Sequence, residues 1–316
     1  MPVFPPLRSF SIPSYIPHVP PPLGGFPPTP SVSTNDILRH VTDEYLSIWG
    51  NSEVGPRVIG LLSYDRPEAD ASKAMEVASY LRSIFDCPHL VVGAAEYKRY
   101  APSETRLVFP LLISGLSAEQ AKDLVEYGCF AAPSFTLFCS PWEPFVTDYA
   151  FTLQGYSLSA DEDGAFVVST VVQKTLQENL SIGRFVQAHH DNLPDLPPPS
   201  YLSLVVDNIY AEPITLAASG GGVDRILFNV YIISPTKIPA DHDAWLNLIR
   251  GLRYRHMTGC GTVASPFSCA VCFARDHPTG LCRYTDIAGW HLKPPTRPAS
   301  NTTRGHGRGG FRGRRN

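Results

Sequence analysis

Eleven of the first thirty-three residues are proline. Proline locks φ and carries no backbone N–H, so such a stretch cannot build a hydrogen-bonded ladder. Residues 1–33 therefore read as a disordered or polyproline-like arm. A second cluster, LPDLPPPS at 193–200, reads as a Pro-rich linker. Residues 291–316 lack apolar periodicity and read as a disordered basic tail. Folding is left to residues 34–192 and 201–290.

Those stretches carry enough apolar character to build cores. The 316-residue chain is 43% hydrophobic and 17% charged, a globular balance. No apolar run approaches the ~18–20 residues of a membrane helix; ILFNVYII at 226–233 is short and polar in its middle. No basic segment followed by an apolar core opens the chain. The expectation is an intracellular protein without membrane contact, in a reducing compartment of cytoplasm or nucleus. Its seven cysteines would then stay free or bind metal. Cys87, Cys129 and Cys139 fall in apolar stretches and read as buried small hydrophobes.

Local patterns predict an α+β protein. A helix is expected from Asn35 to Trp49, followed by a β-α-β segment that ends residues 34–105. Over 106–192 the pattern becomes β-α-β-β-α-β: strands at 107–116, 134–140, 149–157 and 181–190, with helices at 118–128 and 165–178. This is the ferredoxin-like order. Residues 201–263 read as a second small α/β unit, with strands at 202–211 and 225–234 and a helix near 241–252. The glycine loop ASGGGVD at 218–224 has no following Lys-Ser/Thr and reads as a hairpin connection.

The most specific chemical signal lies at 264–290, in CAVCFARDHPTGLC (269–282). Cys269, Cys272, His277 and Cys282 are separated by gaps of two, four and four. Zinc takes four such ligands in a tetrahedron. Fourteen residues cannot form a hydrophobic core, so bound Zn2+ must supply the folding energy. Cys260 or His256 could stand in for His277 as the fourth ligand. A full set of four protein ligands argues for a structural zinc and against a catalytic one.

This spacing resembles the CCHC zinc knuckle of retroelement Gag-like nucleocapsid proteins and of cellular RNA-binding proteins. The resemblance implies nucleic-acid binding. A typical knuckle has glycine after the second Cys and before the His, where this chain has Phe273 and Asp276. It also has a base-stacking aromatic after the first Cys, where this chain has Ala270.

Net charge supports a polyanion partner met by the tail. The chain is at −3 overall, and the seven cations after Asp286 leave the rest at −10. RGHGRGGFRGRR (304–315) resembles an RGG box, which implies RNA contacts by Arg304, Arg308, Arg312, Arg314 and Arg315 and stacking by Phe311. The 106–192 segment resembles an RNA recognition motif in TDYAF (147–151). There Tyr149 and Phe151, two apart on a strand, would share one face. Thr147, Asp148 and Leu112 depart from that motif. The whole order resembles Gag-like retrotransposon proteins.

The sequence reading is thus a non-enzymatic, zinc-dependent, single-stranded nucleic-acid-binding protein, with RNA ahead of DNA and with self-association. The rival is an assembly protein whose zinc clip is only structural. HHD at 189–191 sets two histidines beside an acid, but neither G-x-S-x-G nor H-E-x-x-H occurs.

Overall fold

The computed structural model describes residues 12–27, 31–51, 55–63, 71–98, 108–195, 197, 199–218 and 222–290. It contains two five-stranded sheets, antiparallel throughout, each covered by helices.

The first sheet is formed by β1 (Val58–Ser63), β2 (Val91–Ala94), β3 (Pro110–Ser114), β4 (Cys129–Ala132) and β5 (Phe135–Pro141), in the order β2-β3-β1-β5-β4. Two short helices precede it, α1 (Thr34–Leu38) and α2 (Asp43–Gly50). They replace the single helix expected at 35–49; Thr42 caps α2 and so restarts the chain. α3 (Ala71–Phe85) joins β1 to β2, and α4 (Ala118–Tyr127) joins β3 to β4. The ends of α4 follow directly from sequence. Ser117 and Gln120 form a capping box, and Gly128, at φ +72°, stops the helix.

The second sheet is formed by β6 (Tyr149–Tyr156), β7 (Tyr210–Leu216), β8 (Arg225–Tyr231), β9 (Tyr254–His256) and β10 (Gly259–Ala264), in the order β7-β8-β6-β10-β9. Three helices, α5 (Glu162–Gln177), α6 (Leu180–Ala188) and α7 (Pro199–Asp207), link β6 to β7, and α8 (Pro239–Arg250) links β8 to β9. The two sheets share one strand order and one connectivity, so the chain contains the same topology twice.

This duplication corrects the expected module boundaries. The strands predicted at 107–116 and 134–140 belong to the first sheet, and the one at 149–157 opens the second. Residues 106–192 therefore do not make one sheet. The strand predicted at 181–190 is α6: Ile182 and Val186 are buried one turn apart, and Asn179 caps the helix by accepting from Ser181 and Ile182 N–H. Most of the strand predicted at 202–211 is α7, where Tyr201 and Val205 are buried at the same spacing. Pro199 begins that helix, in the position where a missing N–H costs nothing, so the linker ends inside the second unit.

Both sheets bury helices against one face. In the first, Val58, Leu62, Ile113 and Leu137 pack with Val77 and Leu81 of α3 and Leu124 of α4. In the second, Phe151, Leu153, Phe228 and Val230 pack with Val172 of α5, Val186 of α6, Val205 of α7 and Trp245 of α8. The described part of the Pro-rich arm also packs, contrary to the expectation of disorder. Ile12 and Ile16 enter the first core, and Val19 N–H donates to the Ala131 carbonyl of edge strand β4 at 2.9 Å. Apolar residues between the prolines supply burial that the arm's composition hides. Among the described residues no helix is long and apolar enough to cross a membrane.

Candidate metal centre

The opposite faces of the two sheets carry the Cys/His segment. Along β1, Ile59 and Leu61 point away from the helices, and with Phe138 and Cys129 they pack against Cys269, Val271, Cys272, Phe273, Cys282 and Tyr284. This explains why every residue of β1 is buried: both of its faces are covered.

Local backbone geometry gathers the ligands. Phe273 N–H donates to the Cys269 carbonyl at 3.1 Å, and Cys269 N–H donates to the Ala274 carbonyl at 2.9 Å, closing a tight turn around the two cysteines. Val271 N–H points at Cys269 Sγ at 3.4 Å. Cys282 returns through a 3-10 turn at Thr279–Leu281, and the Thr279 hydroxyl accepts from Ala270 N–H at 2.8 Å.

The ligand atoms of Cys269, Cys272, His277 and Cys282 all lie within 4.8 Å of one another. Cys272 Sγ is 3.7 Å from Cys282 Sγ and 3.5 Å from His277 Nε2. A zinc tetrahedron with ordinary Zn–S and Zn–N bonds sets these separations at about 3.8 and about 3.5 Å. The residues therefore fit a metal of that size and softness. The three cysteines are at most 2% exposed. Mutual hydrogen bonding lowers the Cys269 thiol, with Cys272 as its main partner, and raises that of Cys272. Burial opposes charge on His277, but Asp276 and the neighbouring sulfurs outweigh it and push the ring up to about 11. A cluster that holds thiolate character in a buried pocket is suited to a cation.

Two of the three departures from the knuckle pattern, Phe273 and Asp276, have structural work to do. Phe273 sits at φ +65°, the left-handed conformation that glycine adopts without strain. Its ring is buried, with its centroid 6.3 Å from that of Phe138 in an edge-to-face contact. Asp276 Oδ1 is 2.6 Å from His277 Nδ1, which fixes the ring so that Nε2 faces the sulfurs. The Asp276 carbonyl accepts from Asn229 Nδ2 at 2.7 Å, and its Oδ2 accepts from the Tyr231 hydroxyl at 3.2 Å. Sequence reasoning missed Asp276, Asn229 and Tyr231 as supports of the site; an acid directly before the ligand His was the available signal.

Tyr149 and Phe151 do not form a stacking face. Each is 2% exposed. The register between β6 and β8 shifts between these two residues, and a bulge turns side chains two apart to opposite faces. Phe151 enters the helix-side core beside Tyr254. Tyr149 heads a buried hydrogen-bond chain through the Thr152 hydroxyl to Asn229 Oδ1, and from Asn229 Nδ2 to the Asp276 carbonyl.

Cys260 and His256 lie outside the ligand cluster. His189 stacks on Phe185 and meets Asp241 at 3.2 Å, and His190 stacks on Tyr201, so both histidines of the HHD triplet have packing partners. Arg304, Arg308, Phe311, Arg312, Arg314 and Arg315 lie outside the described residues. Comparison with known proteins gives no family model, no curated protein and no solved structure that matches this chain.

Proposed function

We propose that this chain is a non-enzymatic, Gag-like nucleic-acid-binding protein in which Zn2+ is a structural clip between two sheet units. The single observation that carries the zinc part is the buried Cys3His set, whose spacing fits a tetrahedral ion. Each unit, strand–helix–hairpin–helix–strand with an added edge strand, is read as a ferredoxin-like module. The role of clip is supported by the packing. One side of the segment packs on β1 and β5 of the first sheet, and Asp276 bonds to β8 of the second. Bound metal would hold the Cys/His loop in the shape that makes both contacts.

The nucleic-acid part rests on charge. The body is at −10, and five of the seven tail cations fall in the last thirteen residues. Single-stranded RNA would be met there first. The test is binding of a mixed-sequence single-stranded RNA to the full chain and to a chain lacking residues 304–316, across a salt series. Four or five arginine–phosphate contacts contribute a slope of roughly −3 to −3.5 in log affinity against log salt. Truncation should remove that much slope and weaken all sequences alike. Equal slopes would favour the rival reading, an assembly protein with a zinc clip and no nucleic-acid role.

A further inference from the structure

We infer that the groove between α5 and the edge strand β9 is a second, folded contact site for single-stranded RNA on the body of the protein. This inference rests on the nucleic-acid reading above. The groove encloses about 630 Å3, and its lining includes Phe166, Lys174, Asn179, Arg253, Arg255 and His256. It is a cationic surface on a body that is otherwise strongly acidic.

The two arginines are held in place by the residue between them. Tyr254 is fully buried; its hydroxyl donates to the Ile249 carbonyl at 2.8 Å and its ring packs near Phe151. Alternation along an extended strand then sends Arg253 and Arg255 outward together, and both are exposed. Among the described residues neither arginine has an ion pair or a side-chain hydrogen bond. The other large basic cleft differs. There Arg275 pairs with Asp36, Lys98 pairs with Asp43, and Arg250 donates to the Ala150 carbonyl. In the α5–β9 groove both guanidinium groups are free for phosphates, whereas in the other cleft, among the described residues, Arg250 and Arg275 are engaged and Arg39 alone is not. Glu178, the acid in its lining, lies 3.9 Å from Lys174.

Along the outer face of α5, Phe166, Thr170 and Lys174 follow one another at successive turns. Phe166 is 72% exposed. A large exposed ring next to arginines without ion pairs among the described residues is the combination that holds a base by stacking while cations follow the backbone.

The test uses the full chain, the chain lacking residues 304–316, and each of these with Arg253→Gln and Arg255→Gln. The probe is a mixed-sequence single-stranded RNA, with ultraviolet crosslinking to locate contacts. The truncated chain should keep weak, salt-dependent binding and crosslink at Phe166. The paired substitution should flatten its slope by about 1.4, two phosphate contacts at about 0.7 each. Lys122→Gln, which removes a cation of α4 in the first unit, should change nothing. Unchanged thermal melting of the variants shows that the exposed arginines do not support the fold. If the full chain binds RNA but the paired substitution leaves slope and crosslinks as they were, the groove assignment is wrong and the tail reading stands. If no form binds RNA, both fall. Equal binding of polyglutamate would overturn the assignment to nucleic acid.

Discussion

The Tyr231 hydroxyl donates to Asp276 Oδ2 across 3.2 Å, which ties the central part of the second sheet to the residue that orients His277. Through this contact the metal centre and the second unit share one carboxylate. Asp276 is largely desolvated, yet His277 and Tyr231 keep its acid form below the usual carboxylate range.

Asp276→Asn keeps the size of the side chain and removes the charge. Supporting carboxylates of this kind are worth about 10–100-fold in metal affinity. Zinc affinity measured by competition with a chromophoric chelator should fall within that range. An unchanged affinity would show that the carboxylate does not orient the ligand.

Phe151 is a core residue of the second unit, so Phe151→Ala should cost about 3–5 kcal/mol in urea denaturation. Tyr149→Phe removes the head of the buried chain to Thr152 and should cost about 1 kcal/mol. Neither change should alter RNA affinity of the folded chain. A specific loss of RNA binding at unchanged stability would restore these rings as a stacking face.

His242 supplies a pH test within the second unit. It is 1% exposed, Nδ1 bonds to the Ser234 hydroxyl at 2.9 Å, and among the described residues Nε2 has no hydrogen-bond partner. Burial holds the ring neutral and pushes its pKa down to about 4. The unfolded chain, titrating near 6.5, binds more protons between these values. Stability from this group is therefore complete above about pH 6.5 and is lost as pH falls toward 4, by up to about 3 kcal/mol. With zinc in excess, His242→Gln should flatten the urea-midpoint profile between pH 7 and 5 relative to the parent chain. Parallel profiles would show that the ring is not held neutral.

Much of this architecture was legible one element at a time. Ser117 and Gly128 mark both ends of α4, and the Cys/His spacing picks out the four residues that the fold gathers into one cluster. What the chain hides is partnership. The strands after α3 and before α5 look alike, and nothing local says that 135–141 pairs with β1 while 149–156 pairs with β8. Pairing is decided by which faces must be covered, a non-local matter. The bulge after Tyr149 likewise left no turn residue to announce it, and it reversed the reading of two aromatic positions. Phe273 and Asp276 looked like defects in a knuckle because their partners, Phe138 and Tyr231, lie more than forty residues away.

The central claim is that one zinc, held by Cys269, Cys272, His277 and Cys282, is part of the fold. Native mass spectrometry of the full chain, purified without added metal, measures this directly. The account predicts the mass of the chain plus one zinc, and the apo mass with a lowered melting temperature for Cys272→Ser. The apo mass for the parent chain, with the same melting temperature as Cys272→Ser, would contradict it.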